Sequence, residues 1–218
     1  MWPGLAPAAG EAGGAVAACS AAGYAYAGVM GGNGVAGVAA TLTSAAAPGV
    51  SVGHVAAWVG VGGPNAGPGH TDEWLQVGMS SLGGGSLRLY YEVVAPGLPL
   101  RYVDLGRGAV GRPTRVAVRE LPARPSFWRV WVDNRPVSKP LRLRGSEHRL
   151  VPVATAESWR PAAAKPGCNT FAYRFGRVRV MGRRGGSWSS FHAAWTLHRS
   201  PYAVEQRGDG FLATSPPA

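Results

Sequence analysis

Positive charge is missing from the first 87 residues: no lysine or arginine precedes Arg88, and the acids there are Glu11, Asp72 and Glu73. All 22 basic residues fall in 88–218, and the whole chain carries a net charge of +11. Such an excess raises the question of a polyanionic partner. The arginines are scattered singly on strand-like segments, with "GRR" (Gly182 to Arg184) the densest cluster, so nucleic-acid binding is not expected. Cysteine is scarce too. Cys19 and Cys168 have neither C-x-x-C nor metal spacing, which leaves one disulfide or two free thiols. No apolar run is long enough for a membrane-spanning helix. G-x-S-x-G, H-E-x-x-H and P-loop signatures are absent. "GNGVAG" (Gly32 to Gly37) matches a dinucleotide fingerprint in letters, but no acid lies between Glu11 and Asp72 to meet a ribose, so it reads as a turn. The five histidines, His54, His70, His148, His192 and His198, are dispersed, and each reads as surface or packing rather than ligand. Neither a metal nor a cofactor is expected.

What is present is glycine (33), proline (18) and a 46% apolar fraction, a composition that suits many short strands joined by tight turns. Strand-like runs recur at 24–30, 35–43, 54–61, 73–80, 87–94, 114–120, 127–133, 175–181, 202–205 and 211–214. Between them lie "GGNG", "GGPNAGPGH", "GGGS", "APGLP", "DNRP" and "RGDG". The expected fold is an antiparallel β-sandwich. Residues 1–23 read as a leader or disordered segment and 24–218 as one domain. The Ala/Gly-rich start is faintly signal-like, and "VAAC" (Val16 to Cys19) resembles a lipoprotein cleavage box without its basic leader. A secreted or cell-surface monomer is expected, with a cytoplasmic location left open.

Strand alternation gathers one candidate surface. In "DEWLQVGMSS", Leu75, Val77 and Met79 share one face while Trp74, Gln76, Gly78 and Ser80 share the other. In "HVAAWVGVGG", Ala57, Val59 and Val61 oppose Ala56, Trp58 and Gly60. In "SLRLYYEVV", Leu87, Leu89, Tyr91 and Val93 oppose Arg88, Tyr90 and Glu92. If the three strands share a sheet, Trp58, Trp74, Gln76, Arg88, Tyr90 and Glu92 line either a wet sheet surface or a shallow groove for an extended peptide or glycan.

In order and spacing, "AWVGVGG", "WLQVG" and "LYYEVVAPG" resemble the glutamic peptidases (eqolisins). "YAYAGVMGGNGVAGVAATLTSAA", "RPTRVAVRELPARPSFWRVWVDNRPVSKPLRL", "ATAESW" and "FAYRFGRVRV" extend the resemblance over about Tyr24 to Thr214. It implies a concanavalin-A-like jelly roll of two large antiparallel sheets and a peptidase acting on polypeptides. The catalytic dyad carried over is Gln76 and Glu157, and Trp58 becomes a substrate-site tryptophan beside Trp74, Tyr90 and Glu92. Glu157 would serve as general base and then acid, partly desolvated beside aromatics such as Trp159. Gln76 would hold the water and the oxyanion. Positions that carry acids in the family are Ser80 and Arg88 here, and Tyr90 stands for a tryptophan; Arg88 would lower the pKa of a neighbouring carboxyl. A non-catalytic module binding glycan or peptide on the same face is the alternative.

Overall fold

The computed structural model describes residues 22–146, 150–163, 167–182 and 186–216. The proposed leader, 1–23, and Cys19 lie almost wholly outside them. The first eight strands are β1 (Gly23–Met30), β2 (Gly37–Ser44), β3 (His54–Gly63), β4 (Glu73–Leu82), β5 (Arg88–Val94), β6 (Arg101–Arg107), β7 (Thr114–Leu121) and β8 (Arg124–Val132). Short β9 (Arg135–Pro136) and β10 (Leu141–Arg142) precede the long β11 (Pro152–Arg160) and β12 (Ala172–Met181). The chain closes with β13 (Trp188–Ser190), β14 (Trp195–His198), β15 (Ala203–Arg207) and β16 (Gly210–Thr214). The Ala-rich stretch becomes β2, as its threonines and closing Pro48–Gly49 favour.

Two sheets form, and their strand pairs are antiparallel. One has seven strands in the order β14-β1-β11-β3-β4-β5-β6. The other has nine, with β10-β8-β7-β2-β12-β16-β15 as its path and β9 and β13 attached at β8 and β12. The layers meet over one apolar core. Val55, Ala57, Val59 and Val61 of β3, Leu75, Val77 and Met79 of β4, and Tyr91 of β5 face it from the first sheet. Val38, Ala40 and Leu42, Val116 and Val118, Trp128 and Val130, and Tyr173 and Phe175 face it from the second. Each large side chain buried there contributes about 2 kcal/mol by leaving water.

The core takes every second residue of β3 and β4, so the others are forced to the outer face of the seven-stranded sheet. They are nonetheless buried: β3 is buried from Val55 to Gly63, and β4 from Leu75 to Ser81. This sheet therefore has two interiors, one facing its partner sheet and one of its own making.

Candidate active site

Register arranges that second interior in rows. Gly60, Gln76, Glu92 and Tyr102 are successive cross-strand partners on β3 to β6. The adjacent row holds Thr155, Trp58, Gly78, Tyr90 and Asp104. The third holds Tyr26, Glu157, Ala56, Ser80 and Arg88. Glycine at two of these places is a steric requirement. A Cβ on Gly78 would sit 1.9 Å from the Ala57 carbonyl oxygen, and one on Gly60 would sit 2.9 Å from the Gln76 Cβ.

Each buried polar side chain here has a partner. Trp58 Nε1–H donates to Glu157 Oε2 at 2.9 Å, and His54 Nε2 lies 3.2 Å from Glu157 Oε1. Gln76 Nε2–H donates to the Tyr90 hydroxyl at 3.1 Å. Trp74 Nε1–H donates to Glu92 Oε1 at 2.9 Å, and the Ser80 and Tyr102 hydroxyls are 2.8 Å apart. Tyr90 and Tyr102 stack at 5.0 Å. Gln76 and Glu157 are 7% and 6% exposed, so both lie below the sheet surface. They do not hydrogen-bond to each other. Their positions are four residues apart along β3, with the Trp58–Tyr90 row between them.

Electrostatics ties the face into one cleft. Burial pushes the Tyr90 hydroxyl well above the ordinary tyrosine range, and the Glu157 and Glu92 carboxylates push it further. Burial, then Glu157, raises Tyr24 to about 12 and Tyr26 higher still. Glu92, on β5, adds to both shifts although three strands separate β5 from β1. Glu92 itself is raised, chiefly by burial; the Trp74 N–H opposes this and Glu157 adds to it.

Strand alternation assigned Trp58, Gln76, Tyr90 and Glu92 to one face, and they occupy one face, with Trp74 bonded to Glu92. Glu157 joins them from β11. Two expectations need correction. Arg88 does not lower a groove carboxyl: its guanidinium pairs with Asp104 on β6, and Asp104 is the carboxyl held low, by that bond and by the Gly106 N–H. His54 is more than packing, since its ring nitrogen contacts Glu157. Its signal was present in β3, where alternation runs back from Trp58 through Ala56 to His54. Tyr26 and Tyr102 were also missed. Placing them requires knowing that β1 pairs with β11 and that 101–107 is a strand.

Two concavities lie elsewhere. One of about 500 Å³ is lined by Thr41, Arg115, Asp133 and Asp209, among others, but its two carboxylates cap the backbone N–H groups of Arg115 and Arg177. The other, about 570 Å³, is lined by Phe191, His192, Gln206 and Phe211, among others. Among the described residues no cluster of three or more His, Cys, Asp or Glu could hold a metal, and no helix is long and apolar enough to cross a membrane.

No protein-family model and no curated protein matches the chain. Solved structures do. A scytalido-glutamic peptidase bound to a peptide-based transition-state analogue aligns with TM-score 0.59 at 18% identity, covering 89% of this chain and 98% of that one. SCP-B, an eqolisin-family peptidase in complex with the tripeptide Ala-Ile-His, aligns with TM-score 0.56 at 16% identity over the same shares. A Bacillus licheniformis β-glucanase aligns with TM-score 0.40 at 13% identity, covering 84% of this chain and 64% of that one. The chain thus has the glutamic-peptidase fold, a β-sandwich of two antiparallel sheets.

Proposed function

We propose that the protein is a glutamic-type endopeptidase that hydrolyses peptide bonds with Gln76, Glu157 and an activated water. One observation carries this reading. Gln76, Trp58 and Glu157, from three strands, are buried on one face, and the Trp58 N–H holds the carboxylate. Glu157 takes a proton from water as the oxygen adds to the scissile carbonyl, then returns it to the departing amine as the C–N bond breaks. The Gln76 amide has two N–H groups. One is spent on Tyr90, and the other serves the developing oxyanion. The Trp58–Tyr90 row, between the rows of Gln76 and Glu157, is the natural seat for the scissile carbonyl. Tyr90, protonated because it is buried, offers an O–H beside it. The substrate is an extended polypeptide on the cleft, with Trp58, Trp74, Tyr90 and Glu92 as its lining.

A secreted or cell-surface monomer completes the reading. It is supported by Cys168, which is disulfide-bonded and so suits an oxidising compartment.

A second reading, a non-catalytic module binding peptide or glycan, draws support from the separation of Gln76 and Glu157. The carboxyl directly opposite Gln76 is Glu92 instead. Cleavage of an unfolded protein from acid to neutral pH distinguishes these readings, with wild type beside folded Gln76→Ala, Glu157→Ala and Glu92→Gln. Loss in the first two with activity kept in Glu92→Gln supports the dyad. Loss in Glu92→Gln with activity kept in Glu157→Ala moves the acid to β5. No cleavage by folded wild type leaves a binding face.

A further inference from the structure

We propose that His54 is the positioning residue for Glu157, fixing the plane of its carboxylate; this rests on the peptidase reading above. His54 opens β3 on the site face, directly opposite Trp159 of β11. Its ring stacks on Trp159 at 5.7 Å and 18°, and Tyr24 closes edge-on at 6.0 Å and 64°. Two aromatic contacts leave the imidazole little rotational freedom, and Nε2 points to Glu157 Oε1. Trp58 holds the other oxygen. With one donor on each oxygen, the plane of the carboxylate is set, and each oxygen keeps a lone pair for a water. Trp159 therefore acts on Glu157 through His54 rather than as a bare apolar wall.

The surroundings of the pair point the same way. The other groups around the pair are Tyr24 and Tyr26 on β1 and Glu92 on β5, which supply no positive charge. Arg199 reaches only the Tyr24 carbonyl oxygen here. His54 is thus the basic side chain in contact with Glu157 among the described residues. A side chain that merely packed would satisfy Trp159 and Tyr24 without turning its nitrogen to a buried carboxylate.

The test combines a contact measured without catalysis and a kinetic readout. In nitrogen-15 NMR, the His54 Nε2–H resonance should be visible in wild type and lost to solvent exchange in Glu157→Ala. The same exchange behaviour in both proteins would overturn the proposal. In cleavage assays, His54→Ala should lower kcat about tenfold with little change in KM, as expected for a misoriented base. Added imidazole should restore part of the rate. His54→Gln, which keeps an N–H donor, should recover most of kcat. A folded His54→Ala with wild-type kcat would refute the positioning role while leaving the peptidase intact. A folded wild type without cleavage would remove the function, and this role with it, whatever the NMR contact shows.

Discussion

On the outer face of the seven-stranded sheet, Gln76 and Glu157 are buried and bonded to other side chains; on the outer face of the nine-stranded sheet, Arg115, Arg174 and Arg179 stand in solvent. Burying an amide or a carboxylate costs free energy unless it is hydrogen-bonded, so the first arrangement demands a partner for each polar atom. The second needs none. There the Arg119 guanidinium lies over the Trp131 ring at 4.8 Å and that of Arg124 over Phe127 at 4.0 Å, so these charges rest on aromatic faces. The same sandwich solves the outer-face problem cheaply on one side and expensively on the other. The costly solution, with His54, Trp58, Trp74 and Tyr90 all spent on holding Glu157, Glu92 or Gln76, is what an organised site requires and a bare sheet does not.

The contrast is broken most directly by cleavage kinetics. Glu157→Ala and Gln76→Ala should each lower kcat by about 100-fold to 1000-fold, the scale seen when a base or oxyanion donor is removed. Arg115→Ala and Arg174→Ala on the other sheet should leave kcat and KM unchanged. Equal losses on both faces would mean that the substrate also meets the arginines.

Trp58→Phe keeps a ring at the position but leaves Glu157 Oε2 without its donor. An unsatisfied buried acceptor costs about 1–3 kcal/mol. Denaturant unfolding should therefore register the change, and kcat should fall about tenfold. Wild-type stability would mean that Glu157 has found water in place of the indole.

How much of this could be read from the chain differs strand by strand. In β3, β4 and β5, apolar residues alternate strictly, and alternation alone sorted Trp58, Gln76, Tyr90 and Glu92 from Val59, Val77 and Tyr91. β6, "RYVDLGR", is an edge strand with only Val103 and Leu105 partly buried against the core, too short a pattern to mark it, so Tyr102 and Asp104 went unseen. Register was out of reach as well. Leu89 opposes Gly106 but Tyr90 opposes Asp104, and the extra residue, Leu105, re-aims the edge through a bulge no composition rule announces. β11 entered through the resemblance of "ATAESW"; its two alanines on the core face, Ala154 and Ala156, are too small to mark a strand by themselves.

Glu92 sharpens the comparison through pH. Burial raises its folded pKa above that of the unfolded chain, so the folded state binds its proton more tightly. Its contribution to stability is present below the ordinary glutamate value and is lost as pH rises through the folded value. Glu92→Gln can still accept the Trp74 N–H but carries no charge to bury. Its melting temperature should match wild type near pH 4 and exceed it at pH 7 by on the order of a few degrees. Parallel curves at both pH values would show that water reaches the carboxylate.

The smallest effect belongs to the arginine face. Arg119 and Arg129 are direct cross-strand partners on β7 and β8, two like charges opposed, and the Arg119 guanidinium already leans onto Trp131. Opposite charges at such a pair stabilise a sheet and like charges destabilise it. Arg129→Glu leaves the Trp131 contact intact and converts repulsion into attraction, so the denaturation midpoint should rise by an amount worth about 0.5 kcal/mol, and the gain should shrink in high salt. A gain of that size from reversing one charge would mark this face as tolerant, its arginines held at small cost by solvent. A loss would mean that Arg129 is held in place as tightly as the residues around Glu157, and that the two faces are less different than their burial suggests.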